Sequence, residues 1–200
     1  SLVGSEMCIR DRKRSGDVKD WSKLVIKQSN KKEIFCSQLS GNNLWKTSEV
    51  GNTITRLSDK DYEQEKSIFH ISVFGNHKNT WHPPTLWIGL GCERNTSKEL
   101  IEDSLQSFLA TNNLSPLSIA GFATVDLKKD EKAILEISKE KNLPIKFFTS
   151  EELSSINTPN PSNVVLNEIG TPSVAEAACM LAAGQGSKLL KEKKIFKSVD

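Results

Sequence analysis

The sequence predicts an α/β protein, with a three-layer α/β/α domain built on a largely parallel sheet over 85–200 and a small mixed α+β region before it over 17–80. Three observations predict it. Strand and helix patterns alternate from Thr85 onward. The apolar run Trp87-Ile88-Gly89-Leu90 stops at Gly91 and a helix start follows at once. The last helix, Val174 to Ala183, is rich in small residues and suited to lie close on a sheet. Alternation of this kind implies parallel pairing, with crossover helices covering the sheet faces.

Taken in order, Ser1 to Arg12 (SLVGSEMCIRDR) resembles a translated adaptor and is set aside as a non-native tail. Trp21 to Ile26 carries a helical turn, and Glu33 to Leu39 and Ile68 to Phe74 are strands. Gly41-Asn42-Asn43 turns the chain before Leu44-Trp45, and the charged run Asp59 to Lys66 is exposed. Trp81-His82-Pro83-Pro84 reads as a linker at 81–84, because consecutive prolines remove donors and favour an extended backbone.

Beyond the linker, Thr85 to Leu90 is a strand and Lys98 to Leu109 a helix. Its apolar face is Leu100, Ile101, Leu105, Phe108 and Leu109. Ile119 to Val125 is a strand, Glu131 to Glu140 a helix, Ile145 to Phe148 a strand, and Ser150 to Leu153 a short capped helix. Thr158-Pro159-Asn160-Pro161-Ser162 forces a turn before Val164-Val165. Gly170-Thr171-Pro172-Ser173 opens the last helix, with Thr171 as cap or Ser173 and Glu176 as a competing box. No closing strand follows Ile195-Phe196, which reads as truncation of the domain at its end.

Chemistry is expected at the carboxyl ends of these strands, where open α/β sheets bind ligands. Gly91, Cys92, Arg94, Thr96 and Ser97 follow the first strand; Thr124, Asp126 and Lys128 follow the second on the same edge. Thr96 with Glu99 forms a T-x-x-E capping box, so Thr96 and Ser97 serve either as caps or as ligand contacts. Asp130 is a candidate cap for the next helix. Free N–H groups at a helix start, with Arg94 and Lys128, suit an anion. Cys92 at such a start is expected to have a lowered pKa.

Composition narrows the classes. Lys plus Arg is 27 against 25 Asp plus Glu, a formal charge of +2, and no basic run interleaves aromatics, which disfavours nucleic acid. No apolar run approaches the roughly 20 residues that span a bilayer, so no membrane partner is expected and the cytoplasm is the default compartment. Cys8, Cys36, Cys92 and Cys179 lie far apart, and His70, His77 and His82 lack ligand spacing, so neither a disulfide framework nor a protein metal site is expected. The Gly89-Leu90-Gly91 turn lacks the third glycine of a dinucleotide fingerprint, and no P-loop follows it.

G-L-G-C-E-R-N-T-S-K-E-L-I at 89–101, I-A-G-F-A-T-V-D-L-K-K-D-E at 119–131, F-F-T-S-E-E-L at 147–153, P-N-P-S at 159–162 and G-T-P-S-V-A-E-A-A at 170–178 together resemble the carboxyl-terminal domain of the cobalamin biosynthesis family CbiG, a domain shared with CobE. The Asp20-Trp21 pair, Gly41 to Trp45 and Trp81-His82-Pro83 resemble the central region of the family, the last in its cyanobacterial forms. The family's amino-terminal domain has no counterpart here.

That resemblance implies a cobalt-precorrin-5A hydrolase, which opens a lactone with water and releases acetaldehyde to give cobalt-precorrin-5B. It also implies a cobalt corrinoid as partner, with cobalt arriving in the substrate and no separate cofactor. A fused or associated precorrin methyltransferase and an oligomer are compatible with it. Asp126 and Glu176 are the candidate bases; Gly91, Cys92, Arg94, Thr96, Ser97, Thr124, Lys128, Thr171 and Ser173 are the candidate substrate contacts. A non-catalytic corrinoid carrier resembling CobE is the alternative.

Overall fold

The computed structural model describes residues 13–42, 44–47, 51–57, 68–161 and 173–196. Val164-Val165, Thr171, Pro172 and the charged run 59–66 lie outside them. The chain forms two compact units. One comprises the residues up to Thr85 with Asn113–Ser118; the other comprises Leu86–Asn112 and the residues from Ile119 onward.

The first unit is a five-stranded sheet in the order β1-β5-β4-β2-β3, with β1 Arg14–Ser15, β2 Ile34–Gln38, β3 Ile54–Arg56, β4 Ile68–Ile71 and β5 Thr80–Trp81. Only the β1–β5 pair is antiparallel. Helix α1, Val18–Ser29, extends the single predicted turn at both ends. Asp17 caps it by accepting from the Lys19 N–H, and the indole of Trp21 donates to the Ser15 carbonyl. Leu24, Ile34, Cys36, Ile71 and Val73 are buried.

Residues 81–84 are not simply a linker. Trp81 is the last residue of β5, and His82 is fully buried. His82 Nδ1 donates to the Ser72 carbonyl at 2.8 Å, which leaves Nε2 to accept from the Ser15 hydroxyl at 2.9 Å. This geometry accommodates the neutral imidazole, which burial favours. Burial pushes its pKa below the ordinary histidine value, and His70 is lowered by burial and by His77, whose ring stacks on it at 4.6 Å.

Acid sensitivity follows from those two histidines. An unfolded chain takes up protons on both as pH falls through about 6.5, whereas the folded one resists, so stability is fully present above that pH and declines below it. Urea unfolding followed by tryptophan fluorescence is expected to show a midpoint that drops between pH 7 and pH 5, with a shallower drop in His82→Gln.

The second unit is the three-layer α/β/α domain. Its strands β6 Leu86–Gly89, β7 Ile119–Val125 and β8 Ile145–Phe148 pair in parallel in that order. Helix α2, Lys98–Thr111, joins β6 to β7, and α3, Lys132–Lys141, joins β7 to β8. Both crossovers step the same way along the sheet, so right-handed connection places both helices on one face. They bury Ile101, Leu105 and Leu109, and Ala133, Ile134 and Ile137.

The other face is closed by α4, Ser150–Ser154, and α5, Val174–Ala183. Alternation along β7 sends Ala123 and Val125 to this side, where they pack with Leu153, Val174, Ala177, Ala178 and Ala182. Thr149 and Glu152 form the capping box of α4, each satisfying the other's backbone N–H.

Small side chains let α5 approach the sheet so closely that Gly89 is sterically obligatory. A Cβ built there would lie 1.7 Å from the Ala175 carbonyl oxygen. Gly121 is similarly confined, 2.6 Å from the Trp87 ring, over which Lys146 places its ammonium at 4.4 Å while donating to the Ala182 carbonyl at the end of α5.

Candidate active site at the carboxyl edge of the second sheet

Residues 90–97 and 126–131 leave the carboxyl ends of β6 and β7 side by side. The strands run in register to Gly89 and Ala123, and Leu90 N–H donates to the Ala123 carbonyl. Thr124, fully buried, donates its hydroxyl to the Leu90 carbonyl at 2.7 Å, so this candidate contact ties the two strand ends together.

The loops are then stitched by charge. Arg94 donates to the Asp130 carboxylate and to the Leu127 carbonyl, each at 2.6 Å, and stands 3.7 Å from Glu131. The Asn95 N–H donates to Glu131 Oε1 at 2.9 Å, and Asn95 adopts a left-handed φ of +59°. The guanidinium fork expected to receive a ligand carboxylate is thus engaged within the protein. Arg94 and Asp130 are both largely exposed, so their pair positions the loops and contributes little to stability.

Glu131 is the site organiser that sequence reasoning missed. It is 5% exposed and is the formal cap residue of α3, yet makes no capping bond of its own. Its carboxylate reaches across to residue 95 instead, and Asp130, expected as the cap, faces Arg94. Helix patterning carries no sign of such a contact between two loops.

That contact also moves the start of α2. The cap is Ser97, which accepts from the Leu100 N–H at 3.2 Å, while the Thr96 hydroxyl donates to the Glu93 carbonyl. The predicted Thr96–Glu99 capping box does not form. The left-handed turn at Asn95 delays helix entry by one residue, and the position a Ser97 box would need is Leu100.

Cys92 departs from expectation in the same way. Its thiol pKa is raised, because burial outweighs the opposing influence of Lys128, Thr96 and Arg94. The helix begins only after Ser97, too far along the chain to activate it. Gly91 is exposed, and an added Cβ there would meet nothing within 4 Å, so its backbone does not require glycine.

Glu176 is not free to act as a base. It is 2% exposed and accepts from the Asn160 N–H at 3.2 Å, Asn160 Nδ2 at 2.9 Å, the Lys193 N–H at 3.1 Å and the Ser173 hydroxyl at 3.3 Å. Burial by itself would raise its pKa, but the donors from Lys193 and Asn160 outweigh it and hold the carboxylate low. Ser173 is the residue preceding α5 and spends its hydroxyl on Glu176 without capping the backbone.

This carboxylate is an anchor for the turn at Asn160 and for the chain near Lys193. Glu176→Ala would strand those donors in the interior and is expected to cost about 3 kcal/mol in urea unfolding.

Asp126 and Lys128 stand apart from all these. They lie on the turn of 3-10 helix that follows β7, and neither side chain makes a hydrogen bond or ion pair among the described residues. Asp126 is half-buried and Lys128 is 8% exposed. A carboxylate with unused lone pairs and an ammonium without a counterion, side by side at the carboxyl edge of a parallel sheet, are equipped to act on a ligand. Among the described residues no group of three or more His, Cys, Asp or Glu side chains is placed to hold a metal ion, and no helix is long and apolar enough to cross a membrane.

The second unit is therefore a parallel α/β/α domain, an architecture in which ligands bind at the carboxyl ends of the strands. The chain belongs to the family described as cobalamin synthesis G C-terminus, which matches residues 86–199. It is 35% identical over 114 residues to a cobalt-precorrin-5A hydrolase of Priestia megaterium, covering 57% of this chain and 30% of that protein. It is 31% identical over 110 residues to protein CobE of a Sinorhizobium species, covering 54% of this chain and 71% of CobE. The crystal structure of CobE, a protein from the cobalamin pathway, aligns over 48% of this chain and 69% of its own at 32% identity, with a TM-score of 0.45. The chain thus spans about a third of the hydrolase's length and most of CobE's.

Proposed function

We propose that this chain is part of a cytoplasmic cobalt-precorrin-5A hydrolase of cobalamin biosynthesis, with 17–80 as its central region and 85–200 as its carboxyl-terminal domain. Its substrate is a cobalt corrinoid, which brings its own cobalt and needs no further cofactor. Water opens the lactone, the bridging carbon leaves as acetaldehyde, and cobalt-precorrin-5B is the product. The observation that carries the assignment to this edge is the unengaged carboxylate of Asp126. Of the two candidate bases it alone keeps lone pairs for a proton, since Glu176 spends its oxygens on Asn160, Lys193 and Ser173. Cys92, Thr96 and Lys128 are proposed to contact the substrate; Thr171 is retained as a contact from the sequence motif. The test is anaerobic incubation of the protein, in its full natural reading frame, with cobalt-precorrin-5A. Acetaldehyde and the matching mass loss are expected, and the absence of both overturns the activity.

The coverage of CobE favours a second reading, a corrinoid-binding module without turnover. It predicts a visible-absorbance shift on corrinoid binding with no aldehyde. The reading frame on either side of the chain decides whether a precorrin methyltransferase is fused to it, and sedimentation of the purified protein decides whether it is an oligomer.

A further inference from the structure

Two of the carboxylates near Lys128 are committed elsewhere, and the third does not pair with it. Asp130 pairs with Arg94, Glu131 receives Arg94 and the Asn95 N–H, and Asp126 forms no ion pair with it. The residue is more than nine-tenths buried, yet among the described residues its ammonium has no hydrogen-bond or ion-pair partner, and it is not one of the fully enclosed polar atoms. The stitches from Arg94 to Leu127 and Asp130, and from Asn95 to Glu131, fix the backbone on both sides of it. Its stem is enclosed, and its charge stands near enough to Cys92 to act on that thiol. Cys92 lies within the field of its charge, which opposes the rise of the thiol pKa. A lysine so placed keeps its head toward solvent while its stem is buried, and among the described residues it has no counterion.

We infer that Lys128 is a specificity-determining residue whose counter-charge is one peripheral carboxylate of the bound macrocycle, with Cys92 and Thr96 contacting the same part of the ligand. This rests on the corrinoid reading for the macrocycle, while the anion preference stands on Lys128 itself. The carboxylate meets a positioned cation as it leaves water, so recognition depends on charge and not on ring stacking alone. Because the Lys128 ammonium makes no hydrogen bond or ion pair among the described residues, a methionine that keeps the buried stem is expected to leave folding intact.

Thermal melting and absorbance titration of the chain with uroporphyrin, a macrocycle bearing acetate and propionate carboxylates, test this. A cationic porphyrin of the same ring size and inorganic phosphate serve as comparisons. Uroporphyrin is expected to bind and raise the melting temperature, and the other two are not. Lys128→Met should melt at or above the parent's temperature and bind uroporphyrin about tenfold to a hundredfold more weakly, and Lys128→Arg should recover most of the loss. The inference is overturned if the parent shows no uroporphyrin shift, if phosphate or the cationic ring matches it, or if Lys128→Met binds within about twofold of the parent. Loss of melting temperature together with binding in Lys128→Met, or equal loss in Lys128→Arg, also overturns it. Acetaldehyde release is not measured here, so failure of the hydrolase reading leaves a separate signature.

Discussion

Gly89→Ala is expected to be the most damaging small substitution in the chain. The new methyl would sit 1.7 Å from the Ala175 carbonyl oxygen and 2.5 Å from its carbon, both backbone atoms of α5. No rotamer change relieves a clash between two backbones, so either β6 or α5 must move. Moving α5 opens the packing of Ala177, Ala178 and Ala182 against Ala123 and Val125. Overpacking of a core costs about 1–3 kcal/mol where side chains can yield, and a backbone clash places this case at or above about 4 kcal/mol. Against a typical domain stability of about 5–15 kcal/mol, that removes roughly a quarter to four-fifths of the total. Urea unfolding and near-ultraviolet circular dichroism measure it. Gly91→Ala is the matched control: its added Cβ meets nothing and its φ is not left-handed, so a change within about 0.5 kcal/mol is expected. Equal effects at the two glycines would contradict the close approach of α5.

Asp126→Asn is expected to have the largest effect on activity and almost none on folding. The carboxylate makes no bond within the described protein, so the isosteric amide removes no structural contact. It does remove the proton acceptor, and loss of a general base lowers kcat by about 10²–10⁴-fold. The measurement is the rate of acetaldehyde release by the full-length protein, alongside the melting temperature of each variant. A rate within about threefold of the parent would remove Asp126 from the chemistry. Glu176→Ala provides the contrast, because its loss acts through the anchor at Asn160 and Lys193 and should lower stability as well as rate.

How far the sequence could be read differs between the two units. In the second, β7 and β8 fall at the residues the apolar pattern marks, since each strand is a short, mainly apolar segment set between two helical patterns. In the first, β1, β3 and β5 are only two or three residues long. Such strands have no period to detect; distant partners create them, as His82 does by joining Ser15 to Ser72. A linker was the reading that the two prolines invited at 81–84. Burial of His82 shows that extended backbone next to proline can equally be the end of a strand.

The site divides along the same physical line. Residue types and strand order, both local properties of the chain, pointed to residues 91–97 and 124–128 as the candidate ligand edge. What each side chain does there depends on partners distant in sequence. Arg94 is drawn to Leu127 and Asp130, Asn95 to Glu131, Thr124 to Leu90, and Glu176 to Asn160 and Lys193. Those contacts consume most of the polar groups that a motif alone would assign to a ligand. Sequence by itself determined the alternating α/β architecture, because hydrophobic period is written locally. Only the tertiary structure decided that Asp126 and Lys128 have no polar partner among the described residues, because an unspent charge is defined by every neighbour that fails to reach it.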